Sequence, residues 1–153
     1  MNDQLLETWQ IHCRINLYVL ESISSEAFRV DEPAKGRSFA RMFAHIHNTR
    51  LMWLEVSAPK SAKRLEKFDK DAKLNKAALK KSLAASGEAM EAMLTKSLAS
   101  GRVKGFKPHL PAFLGYIISH ESYHLGEIGI ALTQAGYPLD KKIAYGMWEW
   151  GVR

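Results

Sequence analysis

The chain has 153 residues, 46% of them hydrophobic and 25% charged, a balance that suits one soluble globular domain spanning residues 1–153. Its single cysteine, Cys13, excludes an internal disulfide and fits a reducing, cytoplasmic setting. The net charge of +6 raises nucleic-acid binding, but most of the excess lies between Lys60 and Lys81, where Glu66, Asp69 and Asp71 are interspersed and Phe68 is the one aromatic residue. That pattern reads as a solvated connection and helix face, not as a nucleic-acid surface.

The opening MNDQLLETWQ lacks a basic segment followed by an apolar run, so no signal peptide is expected. No stretch approaches the roughly 20 apolar residues of a membrane span. Residues 3–24 predict a first helix, with Leu5, Leu6, Trp9, Cys13, Asn16, Leu17 and Leu20 on one side. His12 and Asn16 form a polar pair one turn apart at the edge of that stripe. They can face a site between helices, though an exposed or capping role is the commoner one. Residues 25–37, with Pro33 and Gly36, form a connection, after which Ser38 is a plausible N-cap. The second helix follows, with Phe39, Met42, Phe43, Ile46, Trp53 and Leu54 as its apolar face. His45 and His47 lie on the two flanks of that face.

Residues 57–74 are a lysine-rich connection opened by Pro59, as expected of a long crossover between helices. Residues 75–99 predict a third helix in which Leu79, Leu83, Ser86, Met90, Met93 and Ser97 make a core stripe of small and flexible side chains. Gly101 and Gly105 end it, and His109, beside Lys107 and two prolines, reads as a loop residue. Pro111 suits the first turn of a fourth helix and Gly136 with Pro138 its stop. The tail YPLDKKIAYGMWEWGVR holds two of the 4 tryptophans and is expected to fold back over one end of the helices or to form a dimer contact. The chain therefore reads as all-α, with four long helices, a long crossover and a short C-terminal tail. No strand pattern, Gly-rich phosphate loop or nucleophile–histidine–acid set appears.

In the fourth helix, Leu114, Ile117, Ile118, Leu125, Ile128 and Leu132 make an apolar face that His120 and His124 interrupt four positions apart. That spacing turns both imidazoles the same way. A shared metal ion explains two such groups, since neutral imidazole is the commonest ligand for divalent zinc, nickel or iron; a bond to a Tyr, Glu or carbonyl is the alternative. The third ligand has to come from another helix, and periodicity does not choose between His45 and His47.

Two motifs together resemble the DinB/YfiT-like superfamily of four-helix-bundle proteins. The first is Ser38 followed by Met42, Phe43, Ala44, His45, Ile46 and the later aromatic Trp53. The second is His120, His124, Gly126, Glu127 and Ile128, where Glu127 stands in place of the usual Gln. The resemblance implies a four-helix bundle with the tail packed on it, and a three-histidine site of His45, His120 and His124 for one divalent metal (Zn, Ni, Fe or Mn), with water in the open positions. It thereby favours His45 over His47, leaving His47 as a supporting or substrate-facing candidate. Glu127 becomes a candidate to orient a ligand or bound water. Glu121 reads as a solvent-facing charge, and Arg41 and Arg50 either as surface residues or as anchors for an acidic thiol.

The function implied is a metal-dependent thiol S-transferase or detoxification enzyme using a low-molecular-weight thiol; some members of the superfamily are described only as DNA-damage-inducible. The alternatives are a non-catalytic dimeric stress-response module with a structural metal, and a metal-dependent hydrolase. A homodimer is expected, without membrane association.

Overall fold

The computed structural model describes residues 2–31 and 36–153. In chain order the elements are α1 (Asn2–Ser22), α2 (Ser25–Arg29), α3 (Phe39–Ser57), α4 (Pro59–Ala62), α5 (Lys76–Ser97), α6 (Leu110–Gln134) and α7 (Lys141–Gly146). The described residues contain no strand, as the helical periodicity predicts. The first helix stops two residues early because Ser24 opens α2, its side chain accepting a hydrogen bond from the Ala27 N–H. Pro33, the residue expected to break the connection, lies outside the described residues. Ser38 caps α3 by accepting from the Arg41 N–H, and Asn75 caps α5 by accepting from that of Ala78. His109 is not a plain loop residue: its Nδ1 accepts from the Ala112 N–H and so caps α6, ahead of Pro111 in the first turn. Gly136 ends the helix region at φ 83°, a conformation that side-chain-bearing residues avoid.

α1 and α3 each pack against both α5 and α6. One apolar cluster joins the C-terminal half of α1 (Val19, Leu20) to the N-terminal halves of α3 (Phe39, Phe43) and α5 (Leu79, Leu83) and the C-terminal half of α6 (Ile128, Leu132). A second joins the opposite halves, through Trp9, Leu54, Met90, Met93 and Phe113. α1 and α6 therefore run one way, and α3 and α5 the other. Two parallel neighbours in sequence, α3 and α5, need a connection that travels their whole length, which is why residues 58–75 are long. That crossover is stapled to α3: Arg41 donates to the carbonyls of Asp69 (2.8 Å) and Ala72 (2.7 Å), and Asn48 exchanges two hydrogen bonds with the Phe68 backbone.

The tail folds back as expected. Leu139, Met147 and Trp150 pack on the first cluster, and the Arg153 guanidinium lies 3.9 Å from the centre of the Tyr18 ring. Tyr145, Trp148 and Val152 stay exposed. No described helix is long and apolar enough to cross a membrane.

Candidate metal centre

Because α3 and α6 are antiparallel and in contact, His45, a turn and a half into α3, meets the middle of α6. His120 and His124 lie one turn apart there and face it. One ring nitrogen from each of the three histidines lies within 4.8 Å of the other two. The ring centres are 5.4 Å apart for His45–His120 and 4.6 Å for both His45–His124 and His120–His124. The Nε2 atoms of His120 and His124 approach to 3.2 Å. A single ion bonded to each at about 2.1 Å spans that gap.

Proton positions decide whether such a cluster is a ligand set or a hydrogen-bonded knot. Glu127 Oε2 lies 2.7 Å from His124 Nδ1, so the carboxylate accepts the Nδ1 proton and the Nε2 lone pair turns toward the other two rings. His120 Nδ1 is buried without a partner in the protein, and the ring is held instead by stacking on Tyr116 at 6.4 Å and 24°. Burial, with smaller contributions from Arg37, His124 and His120, pushes the His45 pKa down to about 4. Burial also lowers that of His120, against the pull of Glu121. Both are neutral at pH 7 and offer lone pairs. A borderline divalent cation fits this all-nitrogen donor set.

A cleft of about 660 Å³ opens beside His45. Arg37, Arg41 and Lys70 supply its positive charge, and Asp31 and Asp69 its negative. Much of that charge is already engaged: Asp31 accepts the N–H groups of Phe39 and Ala40, and Arg41 holds the crossover. Next to the trio, Tyr116 stacks on His120 and joins Trp53, Phe106 and Phe113 in a largely edge-to-face aromatic cluster, and the exposed Tyr123 ring lies 5.3 Å from that of His124.

A model of the DinB family matches residues 1–148. The chain belongs to the DinB family. Neither the curated proteins nor the solved structures compared with it give a significant match.

Several residues of this DinB-family chain stand elsewhere than the sequence suggested. His47 does not support the metal centre or face a substrate. It is buried on the opposite flank of α3, wedged between the Ser82 carbonyl, 3.0 Å from Nδ1, and the Glu66 carbonyl, 2.8 Å from Nε2, so that whichever nitrogen carries the proton donates to its carbonyl and ties α3 to α5 or to the crossover. Glu121 is not solvent-facing: it is 0% exposed and accepts from Arg50 through both oxygens, at 2.7 Å from Nε and 2.7 Å from Nη2. Arg50 is neither a surface residue nor a thiol anchor, because its remaining nitrogen donates to the Leu83 carbonyl at 2.9 Å and its charge lies 5.0 Å from the Trp9 ring centre. His12 and Asn16 are not exposed either. His12 Nε2 lies 2.8 Å from Glu121 Oε2, and Asn16 Nδ2 donates to the His12 carbonyl at 3.0 Å. These residues, with Ser86, form a polar layer between the two apolar clusters. The sequence did carry a signal for it. His12, Arg50 and Glu121 each fall mid-helix on an apolar stripe, where an ionisable side chain has to be paired to be buried.

The layer and the histidine trio share α3 and α6. Arg50 lies five residues beyond His45, and Glu121 sits between His120 and His124. The Arg50–Glu121 fork therefore fixes the rotation of α6 against α3 about one turn from the place where their histidines meet.

Proposed function

We propose that this chain is a divalent-metal-dependent enzyme that uses a low-molecular-weight thiol, acting as a thiol S-transferase or related detoxification enzyme. His45, His120 and His124 are the protein ligands in this reading. The four long helices constitute the four-helix bundle of the family, working as a cytoplasmic homodimer. The observation that carries the proposal is the convergence of three imidazole lone pairs, one of them oriented by Glu127, beside an open cleft.

A divalent ion at such a site acidifies a coordinated thiol or water, so that a nucleophile is available near neutral pH. The chain's own side chains account for the rest. Glu127 holds the His124 tautomer. His45, kept neutral by burial, needs no proton removed before it can donate its lone pair. Arg37 and Lys70, which have no ion-pair partner among the described residues, bring positive charge to the cleft and attract the carboxylates of a small acidic thiol. Tyr116 and Trp53, next to His120, offer apolar surface to an electrophile.

The test is metal analysis of purified protein, wild type beside His45→Ala, His124→Ala and His47→Ala, followed by a screen of thiols with an electrophilic acceptor. Near-stoichiometric metal that is lost in His45→Ala and His124→Ala, kept in His47→Ala, and accompanied by thiol-dependent turnover supports the reading. No metal after reconstitution with zinc, nickel, iron and manganese overturns it. Metal without exchangeable water or turnover assigns the ion a structural role. Hydrolysis that proceeds without any thiol makes the protein a metal-dependent hydrolase.

A further inference from the structure

α6 borders a second pocket on another flank. His120 and His124 face α3, whereas Ser122, Leu125, Gly126 and Gly129 turn toward α1 and the C-terminal tail. There a pocket of about 260 Å³ is walled by Trp148, Trp150 and Met147 of the tail and closed on the α1 side by His12 and Ile15. Its composition differs from that of the cleft beside His45. No Asp, Glu, Lys or Arg lines it, and apart from the tryptophan ring nitrogens its side-chain polar atoms belong to His12 and Ser122. The floor is the backbone of Gly126 and Gly129. A Cβ added at either glycine would meet nothing within 4 Å, so the space over them is open and not filled by a neighbour. Glycine inside a helix costs roughly 1 kcal/mol relative to alanine, and two such residues within one turn here leave a flat surface that a planar group can approach. Trp148 and Trp150 also line the pocket, and Trp148 is 76% exposed although such a large apolar ring is ordinarily covered. The one buried polar side chain at the wall, His12, already has its Nε2 on Glu121 and is fixed in place.

We propose that this pocket binds a small, neutral, planar aromatic molecule of about two fused rings, independently of the histidine trio. The absence of charged lining residues selects against ions, because nothing would replace their lost hydration. The volume, below the roughly 300 Å³ where drug-sized sites begin, selects a fragment-sized ligand. Two tryptophans beside a glycine floor without Cβ atoms favour a flat ligand with an aromatic face.

Indole is the probe, titrated by calorimetry and by ligand-observed NMR into the full-length protein, with indole-3-acetate as its charged counterpart. Gly129→Leu fills the pocket at a position where the new Cβ meets no neighbour and helix propensity improves, so it folds. Trp148→Ala removes one wall by a separate route. Indole is expected to saturate one site on the wild type. Its affinity should fall at least tenfold in Gly129→Leu and severalfold in Trp148→Ala, and be unchanged in His45→Ala; indole-3-acetate should bind at least tenfold more weakly. No saturable binding to the wild type, or equal binding in Gly129→Leu, overturns the proposal. So does sedimentation showing that Gly129→Leu dissociates a dimer, since the occupant is then a second copy of the chain. Because His45→Ala removes the metal centre and leaves this pocket whole, failure here and failure of the proposed enzyme activity are read separately.

Discussion

Replacing Glu121 by leucine removes both acceptors of the Arg50 fork and the partner of His12 in one step, while nearly preserving side-chain volume. Arg50 and Glu121 are both fully buried, so the substitution leaves an uncompensated guanidinium between two apolar clusters. Breaking a buried pair in this way costs about 3–5 kcal/mol. A domain of this size has about 5–15 kcal/mol in total, so Glu121→Leu should consume about a fifth or more of the stability and lower Tm by roughly 6–20 °C. Arg50→Met alone should cost a similar amount by stranding the carboxylate. The double variant Arg50→Met/Glu121→Leu has no buried charge left, and its methionine and leucine connect the two clusters. What remains is the hydrogen bonding lost by His12 and Asn16, about 1–3 kcal/mol. The double variant should therefore be more stable than either single one, with a coupling energy of at least about 3 kcal/mol. Urea unfolding followed by circular dichroism, with chelator present so that metal binding does not contribute, measures all four corners of the cycle. A Glu121→Leu cost below about 1 kcal/mol, or a double variant as destabilised as the sum of the singles, refutes the reasoning.

Acid should find the same group. Burial raises the Glu121 pKa, but the charge and hydrogen bonds of Arg50, with His12, outweigh it and bring the net value down to about 2 from an ordinary 4.5. A depressed folded-state pKa contributes stability that is complete above about 4.5 and lost as pH falls toward 2, so chelated wild type should lose stability across that window. Glu121→Gln should flatten the slope there in urea titrations at stepped pH. Glu127→Ala removes the acceptor on His124 Nδ1 and should weaken metal binding about 10–100-fold in competition with a chromophoric chelator, whereas Glu127→Gln, which keeps an acceptor oxygen, should lose much less. Equal losses in the two would mean that Glu127 acts only through its charge. Burial pushes the Cys13 thiol pKa up to about 12, so it should react with a disulfide reagent at pH 8 far more slowly than in urea-unfolded protein; equal rates would contradict that burial. Arg41→Ala deletes the two hydrogen bonds that hold residues 69–72 and should speed proteolytic cleavage in the crossover with little change in Tm, which limited trypsinolysis and a melt together determine.

The four long helices, the cap at Ser38, the stop at Gly136 and the long crossover were legible in the sequence, because each rests on spacing within one element or on the conformational needs of a single residue; the short helices α2 and α4 and the cap at Asn75 were not read there. The pairing of His120 with His124 was legible for the same reason: a four-residue interval is one turn wherever the helix lies. Composition likewise excluded a disulfide. The choice of partner across helices was not legible, since periodicity gives the angle of a side chain about its own axis but not the neighbour waiting there. His45 and His47 flank one apolar face almost symmetrically. The family resemblance favoured His45, and the packing of α3 against α6 on one side, and against α5 and the crossover on the other, gives the physical reason that one is a candidate metal ligand and the other a backbone staple. Glu121 and Arg50 show the same limit more sharply. Each falls on an apolar stripe, which tells that it must be paired if it is buried, but only the tertiary structure supplies the partner by bringing the two within 2.7 Å.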